Sequence, residues 1–166
     1  WNGLIKNSAY YNYSLSMDGF RRSYGNNYAK DYLPDKITNN TLKFLNKVSG
    51  SRKAPFLAVM SFPAPHGPED SAPQYQNMFF NVTTHHTPPY DFAPNPDKEW
   101  VLRTTDKMAP IHRTFTDLLQ TKRLQTLQSV DEGLERVVEK LKDGAHTRYA
   151  EYRSMHRDTD SSIGAW

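Results

Sequence analysis

The sequence predicts an α/β fold on three observations. A short unbroken apolar run, Phe56 to Phe62, is bounded by Pro55 and Pro63; an amphipathic pattern over 33–48 precedes it; a longer helical stripe over about 111–142 follows. An apolar run of large and β-branched side chains reads as a strand buried on both faces, the kind found inside a parallel sheet. A helix feeding such a strand is one half of a parallel crossover unit. A β-hairpin near the start adds an antiparallel piece.

The elements follow in order. Residues 8–24 read as the hairpin: Tyr11, Tyr13 and Leu15 alternate with polar partners, and Asp18-Gly19 is a favoured two-residue turn before Phe20. Arg21-Arg22 suits either an anionic ligand or a charged edge that discourages strand addition. In the helix over 33–48, Leu33, Ile37, Thr41, Phe44, Leu45 and Val48 share one face; Pro34 suits its first turn and Ser49-Gly50 its end. Residues 72–80 suggest a helical turn, and 98–105 a short helix carrying Trp100. Between them, 81–97 is rich in proline and has no period; a connection that long is often functional. His85-His86 sits in it. Adjacent histidines on an extended chain point opposite ways, so a polar loop is expected there and no metal site. Over 111–142 one long helix, or two broken ones, carries Ile111, Phe115, Leu118, Leu119, Leu127, Val130, Leu134, Val137, Val138 and Leu141 as a stripe expected to be core. Residues 143–166 are polar, without a stable period, and are expected to be poorly ordered.

Composition sets bounds. A chain of 166 residues suffices for one domain with a real core. It opens at Trp1 and is expected to be a piece of a longer protein. No apolar run approaches membrane-spanning length. Low mean hydropathy with ten tyrosines suits a polar-surfaced globular domain. The net charge of +3 is compatible with an acidic partner without demanding one. The chain has no cysteine, which excludes disulfides and thiolate metal sites and leaves the compartment open. Sequons at Asn12, Asn39 and Asn81 are about as many as this composition produces by chance. No glycine-rich phosphate loop is present, and the basic residues are too sparse for a nucleic-acid face.

The stretch with most chemistry follows the apolar run. Residues 63–73 hold several prolines, one glycine, His66 and the adjacent carboxylates Glu69 and Asp70. Ligand sites of open α/β sheets lie at the carboxyl ends of strands. Pro63, Pro65 and Pro68 restrict the loop, so the His66 imidazole has little freedom. On these residues alone it is either a turn-capping histidine or a ligand contact.

The string APHGPEDSAPQ, with YLPDKITNNTLKFL before it and KRLQTLQSVDEGLERVVEKL after it, resembles the sulfatase family. YDFAPNPDKEW and APIH carry the same likeness, most like the extracellular heparan sulfate 6-O-endosulfatases, with the N-acetylglucosamine-6-sulfatases next. The resemblance covers about residues 1–142. It implies an alkaline-phosphatase-like α/β sandwich, a central mostly parallel sheet flanked by helices. It also implies sulfate ester hydrolysis by a formylglycine made from a cysteine, with one Ca²⁺. His66 matches the histidine that contacts the sulfate ester and is expected to be both catalytic and substrate-binding. Glu69 and Asp70 are expected to shape the loop. The implied partner is sulfated glycosaminoglycan, heparan sulfate above all, and the implied setting the secretory pathway and cell exterior, or the lysosome.

Departures from the pattern limit what carries over. The nucleophile has no counterpart here. The family's early calcium aspartates would lie before Trp1, and its later calcium pair would lie where the divergent residues 143–166 stand. A frameshift, alternative exon or gene-model error would give such a switch. The chain is therefore expected to be the middle of a sulfatase domain, inactive alone, with the apolar faces of its strand and long helix exposed. The alternative is a non-catalytic binder of anionic glycosaminoglycan through Arg21, Arg22, Lys122, Arg123 and the basic tail.

Overall fold

The computed structural model describes residues 1–49 and 55–160, with side chains of the last helix described as far as Gly144. A three-stranded antiparallel sheet opens the chain: β1 (Asn2–Ile5), β2 (Ser14–Met17) and β3 (Phe20–Ser23), with β2 in the middle. Leu15 pairs with Leu4 on one side and Arg22 on the other. The hairpin turns at Asp18 and Gly19, whose φ values of 51° and 93° are both positive, as a type I′ turn requires. The expected alternation through Tyr11 breaks at Asn12, where φ is also positive. Tyr10 and Tyr13 are therefore both buried, while Tyr11 is only half-buried.

Two helices then follow, α1 (Tyr28–Asp31) and α2 (Leu33–Ser49), the second matching the amphipathic pattern over 33–48. Leu33 closes a small core with Tyr13 and Leu15, against which Leu4, Met17 and Ile37 pack. A second core joins Tyr10, Tyr32 and Ala72. A single 3₁₀ turn (Pro73–Tyr75) and a short helix, α3 (Trp100–Arg103), interrupt the long irregular middle. One helix, α4 (Pro110–Asp160), runs unbroken over 51 residues and packs against α2. It continues through the segment read as a poorly ordered tail as far as Asp160; 161–166 lie outside the described residues.

Two expectations fail. Residues 55–62 form no strand, and Leu57 and Val59 are more than four-fifths exposed. A strand exists only where a neighbour takes up its backbone hydrogen bonds, and no parallel sheet forms among the described residues. Beside the run, an open cleft of about 680 Å³ is lined by Leu15, Leu33, Ile37, Phe44, Val59 and Phe62, among others.

The stripe of α4 is the second. Ile111, Phe115, Leu118, Leu134, Val138 and Leu141 are exposed, and of the stripe only Val137 is buried. The buried face is instead Thr121, Gln125, Ser129, Gly133 and Val137, a ridge at i+4 spacing, with Thr126 beside it. Its polar members serve irregular backbone. Gln125 Nε2 donates to the carbonyls of Gln76 and Met78, both at 2.9 Å, and Thr121 Oγ1 donates to that of Phe79 at 3.3 Å. Carbonyls of a loop packed on a helix need donors, and a leucine cannot supply them.

Candidate active-site loop

Residues 63–72 make a rigid turn held from behind by tyrosines. The His66 backbone N–H donates to the Pro63 carbonyl at 2.9 Å. The Tyr10 hydroxyl donates to the His66 carbonyl at 2.9 Å, and Tyr32 donates to the Asp70 carbonyl at 3.1 Å while lying 3.3 Å from Ser129 Oγ of α4. Tyr10 and Tyr32 are fully buried and their rings stack at 6.1 Å. Burial pushes the Tyr10 hydroxyl up to about 12. These are permanent donors, because a neutral phenol in an apolar setting keeps its proton. Tyr10 thus braces this loop from just before the hairpin, a role that the hairpin reading of 8–24 missed.

Glu69 holds a left-handed φ of 50° and its carboxylate lies 3.7 Å from Arg123 Nε of α4. Burial raises the Asp70 carboxyl above its ordinary range, and Lys122 draws it part of the way back. Both carboxylates face cations of one helix turn, which fits the loop-shaping part expected of them. Lys122 and Arg123 thus sit beside this loop. Arg21 and Arg22 lie on exposed β3, where Arg21 donates to Ser14 Oγ at 3.3 Å.

The His66 imidazole is exposed. Its Nδ1 lies 2.9 Å from the Gly67 carbonyl. A carbonyl can only accept, so Nδ1 carries the proton and Nε2 is the nitrogen left open toward solvent. That arrangement orients the ring and leaves Nε2 accessible, the disposition of a group that meets a ligand or exchanges a proton.

His85 and His86 do not point apart. A turn closed by the His86 N–H on the Thr83 carbonyl, at 2.9 Å, brings both rings to one side. Their Nε2 atoms lie 2.7 Å and 2.6 Å from the same oxygen, Asp117 Oδ1 of α4. The expectation of diverging rings assumed extended backbone and is corrected by that turn. Asp117 lies 31 residues away, beyond any spacing signal. Hydrogen bonds from His86 and then His85 hold its carboxyl below the usual range.

The chain matches the Sulfatase family over residues 2–148. It belongs to the sulfatase family. It is 59% identical over 160 residues to the extracellular sulfatase SULF-1 homolog of Drosophila melanogaster, a match covering 94% of this chain and 14% of that protein. The putative extracellular sulfatase Sulf-1 homolog of Caenorhabditis elegans is 49% identical, over 94% and 22% respectively. The N-acetylglucosamine-6-sulfatase of Bos taurus is 42% identical over 85% of this chain and 25% of its own length. The chain thus spans a quarter or less of these relatives. No solved structure matches it.

Formylglycine is made from cysteine, and there is none. Calcium takes six to eight oxygen ligands, whereas the metal-capable group found among the described residues pairs two imidazoles with one carboxylate.

Proposed function

We propose that residues 1–142 are the middle of a sulfatase catalytic domain whose parent hydrolyses 6-O-sulfate esters on glucosamine of heparan sulfate or heparin, and that His66 meets the sulfate ester. One observation carries the role of His66. Its ring is fixed through Nδ1–H to the Gly67 carbonyl at 2.9 Å, on a loop braced by buried Tyr10 and Tyr32, with Nε2 facing solvent. A protonated Nε2 neutralises a sulfate oxygen, or gives its proton to the sugar oxygen as the S–O bond breaks, so that it leaves as a hydroxyl. Fixing the ring beforehand removes the cost of ordering it when the substrate arrives. Glu69 and Asp70 keep the loop's shape against Lys122 and Arg123 of α4 and stay off the reacting atoms.

Formylglycine and Ca²⁺ supply the nucleophile and the charge neutralisation in the family; in this reading both come from other parts of the parent. The chain alone is then inactive. Supporting this is the apolar surface left uncovered: Leu57 and Val59 beside the cleft, and Ile111 and Phe115 on α4, each more than three-fifths exposed. Patches of that kind are normally covered by protein.

The same reading makes the parent a glycoprotein of the secretory pathway, acting at the cell surface or outside it, or in the lysosome if it is nearer the N-acetylglucosamine-6-sulfatases. Asn12, Asn39 and Asn81 are all exposed and are the glycan sites it offers. No helix among the described residues is long and apolar enough to cross a membrane.

The test is sulfate release from heparan sulfate and from a fluorogenic sulfate ester, with Ca²⁺, by this chain and by the chain extended to the length of its relatives. Turnover is expected from the extended protein alone, with His66→Ala lowering kcat/KM by about a hundredfold or more. Full activity in His66→Ala overturns the role of His66. Salt-dependent heparin affinity of the extended protein without sulfate release would make the protein a glycosaminoglycan binder instead.

A further inference from the structure

We propose that His85, His86 and Asp117 form a binding site for a nitrogen-preferring divalent ion of the Zn²⁺ class, which fastens the loop over 81–97 to α4. The ligand atoms of the three residues already lie within 4.8 Å of one another. Two come from a four-residue turn and the third from a helix, so chain geometry holds them without the ion. Two imidazoles and one carboxylate are a donor set that zinc takes up as a tetrahedron with one position left for water. The nitrogens exclude Ca²⁺ and Mg²⁺, which prefer oxygen cages.

Distances in the cluster fit this reading. Each Nε2 stands 2.6–2.7 Å from Asp117 Oδ1, hydrogen-bonding range, with Nε2–H donating to the carboxylate. Tetrahedral zinc at about 2.0–2.1 Å from each ligand needs ligand atoms about 3.3 Å apart. The carboxylate has to withdraw by about 0.6–0.7 Å, the scale of a side-chain adjustment. The ring protons move to Nδ1 as the ion takes Nε2.

The surroundings are built rather than incidental. Tyr90 stacks on His86 at 4.2 Å and meets His85 edge-on at 5.4 Å. Tyr90 Oη and His85 Nδ1 are both buried without a hydrogen-bond partner among the described residues. Of the two, the Tyr90 hydroxyl is the one that the ion's water can complete, since Nδ1 of His85 faces across the ring from an ion held at Nε2. Asp91, next to Tyr90, lies 3.8 Å from Arg113 Nε of α4 and accepts from the N–H of Met108, just before that helix, at 2.5 Å. His86 and Asp117 remain more than a third exposed, which leaves an entry path.

Co²⁺ titrated into the chelator-stripped chain tests this, since four-coordinate Co²⁺ gives strong visible ligand-field absorption. The expected result is saturation at one equivalent, displacement by Zn²⁺ but not by Ca²⁺, and a Tm about 5–10 °C higher with Zn²⁺ at a hundredfold excess over Kd. His85→Gln and His86→Gln keep an N–H for Asp117 but lose the metal ligand. Each should weaken Co²⁺ binding at least tenfold with little change in the metal-free Tm, whereas His66→Ala should bind as the parent does. Absence of a one-equivalent spectrum overturns the site, as does binding that survives His86→Gln together with Asp117→Asn. An unchanged Tm on adding Zn²⁺ overturns the fastening of the loop.

Discussion

Replacing Gly133 with alanine sets two opposed effects against one another. Within a helix, Gly→Ala stabilises by about 1 kcal/mol through propensity alone. At this position, however, an added Cβ would fall inside the van der Waals surface of Thr38 Oγ1 on α2. Thr38 is 1% exposed and its hydroxyl is engaged with the Pro34 carbonyl at 3.2 Å, so it has no open space to rotate into. Overpacking of this kind costs about 1–3 kcal/mol, taken here as about 2. The net expectation for Gly133→Ala is a loss of about 1 kcal/mol, or a Tm lower by about 2–4 °C. With Thr38→Ala in place, the nearest remaining atoms are Thr38 Cβ and Phe62 Cζ, each at 3.5 Å, an ordinary contact. In that background the same substitution should stabilise by about 1 kcal/mol, a coupling of about 2 kcal/mol across the cycle. Thermal and urea melts of the four proteins, followed by far-UV circular dichroism, give the numbers. If Gly133→Ala raises the Tm equally in both backgrounds, α2 and α4 are not packed as described.

Two further outcomes are expected. Burial raises the hydroxyls of Tyr10 and Tyr11 to about 12, with Tyr13 and Tyr32 moved in the same direction. An unfolded chain releases these protons near pH 10 and the folded one holds them longer. The stability they reflect is complete below pH 10 and is lost between 10 and 12. Tyrosinate absorbance should therefore appear together with loss of helical signal in an alkaline titration; tyrosinate forming near pH 10 with helicity intact would contradict the buried cluster. At the hairpin turn, Gly19→Ala places a Cβ at φ +93° with nothing within 4 Å, so the cost is backbone strain alone, about 1–2 kcal/mol by urea melt. A neutral result would mean the turn is not type I′.

The features legible in the sequence were those set by local chemistry. Asp18-Gly19 fixes a turn through two left-handed residues, and the spacing of Leu33, Ile37, Thr41, Leu45 and Val48 fixes a helix, whatever surrounds them. The run 56–62 failed as a strand because strand pairing is non-local: the side chains favour a sheet, but the hydrogen bonds need neighbours. On α4 the leucine stripe marked the apolar face correctly and the packed face wrongly. Thr121, Gln125 and Ser129 are buried because α2 and the loops lie on that side and need donors and close approach. The His66 loop was readable from its prolines, and the family resemblance singled out the histidine. Its support from Tyr10 and Tyr32 was not readable, since tyrosines in the order Tyr-Tyr-Asn-Tyr also fit an alternating strand. The His85 and His86 rings were expected to diverge on the assumption of extended backbone, which the turn at 83–86 overturns.

Successive turns of α4 hold both candidate sites. Asp117 meets His85 and His86; Thr121 and Gln125 meet the carbonyls of 76–79; Arg123 meets Glu69; Ser129 meets Tyr32, which holds Asp70. A helix is stiff along its axis, so these contacts fix the two loops to a common frame. The division of labour between its faces follows. The small and polar ridge positions the loops, where directional hydrogen bonds matter. The exposed apolar residues beside and beyond it, such as Ile111, Phe115, Leu134 and Val138, are left for non-directional burial, which any matching apolar surface satisfies. Substitutions along the ridge should therefore disturb His66 without touching it, whereas single changes at the exposed apolar positions should leave the loop geometry as it is.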